Sequence, residues 1–461
     1  MEVHAQATVS ATRGSNVVAG IGWIVTLVTL GCVLYAVTRL AQFNPTDLAA
    51  WQADWRLATE CADRGAYPCP GMSKFPLAYL LTAGIAASVG NGDRVALTLV
   101  NLLFLTLPLV CLVVLHGPRR LWLTGWPFVL GIVLSPLPFF YVASGALEIQ
   151  SGIFAGLYIG AFALALASPA LRMSGRVACV LASSGLMFPL YKDTIGVFVG
   201  VAILVVLWMT RDSLRALWSQ AGGRRALIRA ATIAALPVLL GQVGAAAYSA
   251  FKYGVPLPVA YMDEAQHTAP DLAKSAEFMF GSLFSPNGGL LIFWGLPALI
   301  ALWGWRWVGW RTDRNAIVGG LVVLVISCVA FARWWAPFGW DGWGNRLMLP
   351  AALGLMVAVM VSLRPRESSD AFSFAQWGRT SLIAGLPLLV CSAYYIAVPY
   401  ASPVGTAMPA TLWPGPHCAR MQRAIPEEAL AHGLAFWKSG VYYNCARERM
   451  LHVPAPQYPR H

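Results

Sequence analysis

The chain has 461 residues, of which 58% are hydrophobic and 11% charged, and its mean hydropathy is +0.62. Those values exclude an ordinary soluble domain and point to repeated membrane crossings, each needing about 20 apolar residues as a helix. The net charge of +12 does not mark a nucleic-acid binder, because the Lys and Arg residues lie in short loops between hydrophobic runs.

The N-terminal stretch MEVHAQATVSATRGSNVVAG lacks a basic start and a clear cleavage site, so no removable signal peptide is expected. Twelve hydrophobic segments follow, at 18–41, 76–91, 94–116, 120–141, 147–168, 174–190, 192–210, 226–250, 288–304, 315–333, 345–363 and 379–398. They form one transmembrane domain over 1–398, with long loops at 42–75 and 251–287 and a polar tail at 399–461.

The first loop begins FNPTDLAAWQADWRLATECADRGAYPCPGMSK. Its first half reads as a helix, with Asp47 and Asp54 seven apart and therefore on one face. Trp51 and Trp55 suit a helix lying in the membrane interface; a plain solvated amphipathic helix would look much the same. Lys74 closes the loop, two residues before Pro76 opens the next apolar run. A proline there is a natural helix start, but a cation is the wrong sign for a helix N-terminus. Lys192 lies between two apolar runs, where ionisable groups are functional suspects, although Asp193 beside it could simply neutralise it. Further on, FARWWAPFGWDGWGNRLMLPAALGL puts Arg346 among tryptophans and glycines at the mouth of a helix. Its guanidinium fork suits phosphate oxygens and stacks on aromatic rings; the plainer role is snorkelling to lipid headgroups.

Five arginines in 211–229 predict a cytoplasmic loop, and the basic loops at 305–315 and 364–370 agree. Alternation then puts 251–287, 332–345 and the tail on the far side. Twelve crossings do not fit a cytoplasmic N-terminus and a far-side tail, which require an odd number. One segment fails to cross, or two are pieces of a broken helix. The first suspect is FPLYKD at 188–193; Arg119, Arg120, Arg172 and Arg176 point instead to a defect within 76–116.

Of nine cysteines, Cys32, Cys111, Cys179, Cys328 and Cys391 sit in apolar runs and read as packing residues. Cys61 with Cys69, and Cys418 with Cys445, form two local pairs in far-side regions, where an oxidising compartment permits disulfides. Zinc fits less well, since neither pair has CxxC spacing.

In its short motifs the chain resembles the GT-C-fold glycosyltransferases that take sugar from a polyprenyl-phosphate carrier, a group that includes protein O-mannosyltransferases and the aminoarabinose transferases acting on lipid A. Asp47 stands at the family's acidic position after the first helix, and Lys74-Phe75-Pro76-Leu77 stands where aminoarabinose transferases have Lys-Pro-Pro-Leu. The stretches YGVPLPVAY, SPNGGLL and GNRLMLP also look like ones common among bacterial members. The similarity runs to about residue 363, and the tail matches nothing nameable. One departure is Leu48, where the family's Asp-Glu pair has its second carboxylate. The resemblance implies an all-α polytopic membrane protein of about 11–13 transmembrane helices. It implies an inverting transfer of sugar to an envelope glycan, lipid or protein, in a bacterial inner membrane, with site and tail in the periplasm. Asp47 would be the base with Asp54 in reserve, and Lys74, Arg346 and Lys192 would hold the donor phosphate. No cofactor is required by these residues; a divalent metal is compatible with such a site but not indicated. Two other classes stay open: a flippase for a lipid-linked saccharide, which would need ionisable groups at mid-membrane, and a non-catalytic assembly protein, which the absent second carboxylate favours.

Overall fold

The computed structural model describes residues 45–73, 75–90, 94–117, 147–168, 173–259, 313–333 and 346–365, with isolated positions between them. Among the described residues every regular element is a helix, apart from one short pairing of two-residue strands. In chain order the helices are α1 (Pro45–Arg64), α2 (Leu77–Gly90), α3 (Arg94–His116), α4 (Glu148–Leu166), α5 (Gly175–Tyr191), α6 (Asp193–Trp218), α7 (Gly223–Tyr253), α8 (Arg314–Ala332) and α9 (Leu349–Ser362). A 3-10 turn, Arg346–Met348, leads into α9. Five of these are long and apolar enough to cross a membrane: those over Val95–His116, Glu148–Leu166, Thr194–Trp218, Gly223–Tyr253 and Arg314–Ala332. The expected segments at 18–41, 120–141, 288–304 and 379–398 lie outside the described residues, isolated positions aside.

Local chemistry sets the helix ends. Ser174 caps α5 by accepting from Val177 N at 3.3 Å, and Asp313 caps α8 by accepting from Asn315 N at 2.9 Å. Gly254, at φ 76°, ends α7 with its N–H on Ala250 O at 2.8 Å, a left-handed conformation that favours glycine.

The core is built on a glycine ladder. α4 reads EIQSGIFAGLYIGAFALAL, with glycine at 152, 156 and 160. A Cβ at Gly152 would meet Pro350 O at 2.8 Å, one at Gly156 would meet Gly354 O at 2.5 Å, and one at Gly160 would meet Ala358 O at 2.8 Å. The partners climb together, so α4 and α9 run parallel with their backbones almost in contact, as small residues allow within membranes.

Contacts fix the other directions. Strand β1 (Trp310–Arg311) pairs antiparallel with β2 (Arg364–Pro365), which ties the start of α8 to the end of α9. α8 therefore runs against α9. Phe198 of α6 meets Phe331 near the end of α8, and Val206 approaches Gly319 near its start, so α6 runs with α4 and α9. Tyr191 stacks on Phe154 and Phe188 lies against Tyr158, so α5 runs against α4. Leu186 and Leu190 of α5 face Gly241 and Gly244 of α7, which runs with α5. Phe104 meets Phe154, and His116 Nε2 lies 2.8 Å from Val361 O, so α3 runs with α4 and α9. One end of the bundle thus gathers the starts of α3, α4, α6 and α9 and the ends of α5, α7 and α8. The arginine-rich 211–229 stretch and the β1–β2 pairing lie at the opposite end, in keeping with the alternation expected from the basic loops.

This arrangement corrects the suspicion that fell first on FPLYKD. α5 and α6 run in opposite directions, joined by the single extended residue Lys192 (φ −160°, ψ 104°). The odd segment is α2. Its lead-in residues Ser73 and Phe75 bind the end of α7, and α3 starts at the same end. From Gly90 to Arg94 the chain advances four residues, at most about 14 Å, whereas 14 helical residues span about 21 Å. α2 cannot cross and return; it stays beside α1, with Gly84 against the Trp55 ring. Without it the twelve expected segments leave eleven crossings, the odd number that the expected orientation requires.

Candidate active site

Two polar groups lie at the end where α4, α6 and α9 begin. The first surrounds the loop that carries Lys74. Lys74 itself lies outside the described residues, but its neighbours do not. Asp54, in α1, is only 2% exposed. Its Oδ1 accepts from Ser73 N at 2.7 Å, and its Oδ2 accepts from Ser73 Oγ. Burial raises the Asp54 carboxyl above the ordinary value, while the two Ser73 bonds and the Lys252 charge oppose that rise. Lys252, at the end of α7, is 4% exposed. Its Nζ donates to Ser73 O at 3.1 Å and Phe75 O at 2.8 Å, and sits 4.7 Å from the Tyr248 ring centroid. Buried charge is tolerated when it is hydrogen-bonded and has an opposite charge nearby, and here two carbonyls hold the amine while its charge reaches the Asp54 carboxyl. Cys69 N donates to Phe251 O at 2.8 Å, and Cys69 is joined to Cys61 in a disulfide. Phe75 stacks on Tyr79 at 4.1 Å, and Thr82, one turn on, bonds the Tyr191 hydroxyl at 3.1 Å.

The second group crowns the glycine ladder. Because α4 and α9 start side by side, Glu148 meets Arg346, with Nε 3.4 Å from Oε1. Lys192 Nζ lies 5.6 Å from the centroid of Phe331, the residue that also meets Phe198. One turn into the bundle, Asn101 Nδ2 donates to Val142 O at 2.8 Å, and Gln150 Nε2 donates to Asn101 Oδ1. Gln150 Oε1 is buried without a hydrogen-bond partner among the described residues.

Of the sequence candidates, Asp54, Lys192 and Arg346 all fall at this end. Asp47 lies in the first turn of α1, with its side chain outside the described residues, and so do Cys418 and Cys445. Glu148, Lys252, Asn101 and Gln150 were not anticipated. The signal for Glu148 and Gln150 was present: an acid and an amide open a segment that is otherwise apolar. Lys252 carried no such signal: it fell within the expected 251–287 loop, although a cation suits the end of a helix.

Chemically, this end can hold an anion. Lys192 and Arg346 stand at the starts of α6 and α9, whose partially positive N-termini suit an anion, while Glu148 beside Arg346 and the C-termini of α5, α7 and α8 at the same end oppose it. Among the described residues, no three His, Cys, Asp or Glu side chains converge as a metal site.

No family model matches the sequence, and no curated protein matches it. Two solved structures are similar. The crystal structure of ArnT from Cupriavidus metallidurans bound to undecaprenyl phosphate has 14% identity and a TM-score of 0.42, over 93% of this chain and 75% of that one. The same protein in the apo state has 15% identity and a TM-score of 0.43, with the same coverage.

Proposed function

We propose that this chain is an inverting membrane glycosyltransferase of the GT-C type, moving a sugar from a polyprenyl-phosphate carrier to an envelope lipid, polysaccharide or protein. The observation that carries the reading is the shared end: Arg346, Lys192 and the residues flanking Lys74 lie where α4, α6 and α9 begin. A carrier whose isoprenoid stays in the bilayer would present its phosphate at such an end. The motifs around Asp47, Lys74 and Arg346 support the same reading.

The chemistry follows from the groups. Arg346, Lys74 and Lys192 stabilise the phosphate that departs, which is electrostatic catalysis. Asp47 takes the proton of the acceptor hydroxyl as it attacks the anomeric carbon. A single displacement inverts that carbon. The bacterial inner membrane, with this end in the periplasm, is the setting we propose.

Leu48 favours a second reading, a non-catalytic assembly protein that keeps the fold and lacks full base machinery. Reconstitution in liposomes with polyprenyl-phosphate sugars separates the two. The enzyme releases sugar from the donor, and Asp47→Asn lowers that release by about 10²–10⁴-fold while donor binding persists. Equal release by Asp47→Asn and the parent removes Asp47 as base. No release from any donor, with normal insertion, leaves the assembly role. Sugar delivery across the liposome without cleavage would instead identify a flippase. Mass spectrometry of envelope glycans and lipids from a deletion strain would name the acceptor.

A further inference from the structure

We infer that Asp54 and Lys252 are positioning residues: they clamp the backbone on both sides of Lys74 and so set the affinity of this end for a polyprenyl phosphate. The inference rests on the glycosyltransferase reading for its ligand, and on geometry for the clamp. Around Ser73 the N–H and hydroxyl donate to Asp54, and the carbonyl accepts from Lys252 Nζ and from Tyr253 OH at 3.4 Å. Around Phe75 the N–H donates to Ser73 Oγ at 3.3 Å, and the carbonyl accepts from Lys252 Nζ. The backbone groups on either side of Lys74 therefore end on two buried charges. Pro76 follows, with its φ fixed by its ring.

The charges have a second consequence. Asp54 and Lys252 hold the same residue, Ser73, with side chains of opposite charge, so with Asp54 ionised the clamp is neutral. It can hold the loop without competing with Lys74 for an anion. Asp54 has both oxygens engaged by Ser73, which suits an anchor better than a proton acceptor for an incoming hydroxyl. The disulfide and the Cys69–Phe251 bond fix the other end of the same loop, so the segment between 69 and 75 hangs from α7 at both ends.

The test uses the full-length protein in detergent or nanodiscs. Hydrogen exchange is followed over residues 70–80, and binding of undecaprenyl phosphate is measured in parallel. Lys252→Met keeps the stem and removes the donors; Asp54→Ala removes both acceptors; Lys252→Gln restores one neutral donor. In Lys252→Met and Asp54→Ala, exchange at Ser73 and Phe75 should rise at least tenfold: Asp54→Ala takes the acceptor from the Ser73 N–H and from the hydroxyl that holds the Phe75 N–H, and Lys252→Met frees the two carbonyls and so loosens the loop that carries both amides. Undecaprenyl phosphate should bind roughly tenfold more weakly, about 1.4 kcal/mol, and Lys252→Gln should recover part of both effects. If Lys252→Met does not fold, Lys252→Gln and Asp54→Asn carry the comparison. Unchanged exchange in every variant overturns the clamp. Faster exchange with parental affinity overturns the positioning role, whatever the fate of the enzyme reading. That reading is tested apart, by sugar release with intact Asp54 and Lys252. A pH–rate profile adds one more check: loss of its acidic limb in Asp54→Asn would make Asp54 the base and sink the inference.

Discussion

Glu148 and Arg346 are mostly enclosed, and each is the other's charge partner. Breaking such a pair strands a charge, whereas replacing both members with apolar groups need not. Glu148→Ala should therefore cost about 3 kcal/mol of stability, seen as a lower unfolding temperature in detergent. The double variant Glu148→Leu, Arg346→Met should melt closer to the parent than Glu148→Ala does. A double variant that melts lower than Glu148→Ala would show that the pair adds nothing. Arg346→Lys is the functional companion. It keeps a charge opposite Glu148 but loses the fork, so folding should persist while donor turnover falls clearly. Parental turnover in Arg346→Lys would leave Arg346 as an anchor for Glu148 alone. At this scale the sequence was readable only in part. Arg346 stood out because tryptophans and glycines surround it. Glu148 carried only the weaker signal of an acid opening an apolar segment, and the helix dipole already accounts for that. Its partner lies far along the chain, and only the packing of two helices shows that they meet. Lys252 was hidden for the same reason, its two carbonyls lying in a loop made much earlier.

Helices were the most legible objects. The apolar segments expected at 94–116, 147–168 and 315–333 appear within two residues as α3, α4 and α8, because hydrophobic length is a direct signal. Which helices touch is a subtler matter. Glycines at 152, 156 and 160 carry the small-residue spacing that lets membrane helices approach, but nothing in α4 alone says that α9 is the partner. The ladder makes a sharp contrast between glycines. A methyl at Gly156 would lie 2.5 Å from Gly354 O, while one at Gly200 in α6 has nothing within 4 Å. Gly156→Ala should destabilise by about 1–3 kcal/mol through overpacking. Gly200→Ala should be neutral or gain up to about 1 kcal/mol. Thermal unfolding of the two variants checks both, and equal melting would remove the ladder as the core contact.

For the whole molecule, composition established the polytopic helical class, and the basic loops predicted which connections share an end. What they left open was the odd segment, because α2 is apolar enough to cross and is betrayed only by its attachments. Its lead-in is tied to α7, and α3 must begin nearby. A cysteine at Asn91 should therefore react with an impermeant thiol reagent from the same side as one at Val255, and from the side opposite one at Gln220. Labelling of Asn91→Cys together with Gln220→Cys would mean that α2 crosses after all. The tail, with Cys418 and Cys445, stays a proposal, and alkylation of both thiols without reductant would argue against their disulfide.

The loop clamp also has a history in time. Ser73 and the lysine that holds its carbonyl are 179 residues apart. At about 5–20 residues per second of synthesis, roughly 10–35 s pass between the two leaving the ribosome. For that interval the nascent loop has its cysteines and Asp54 but not the Lys252 amine, and water must serve the carbonyls of residues 73 and 75. A chain arrested before residue 252 should therefore exchange its loop amides as fast as full-length Lys252→Met. The candidate site would be finished only when α7 has been made.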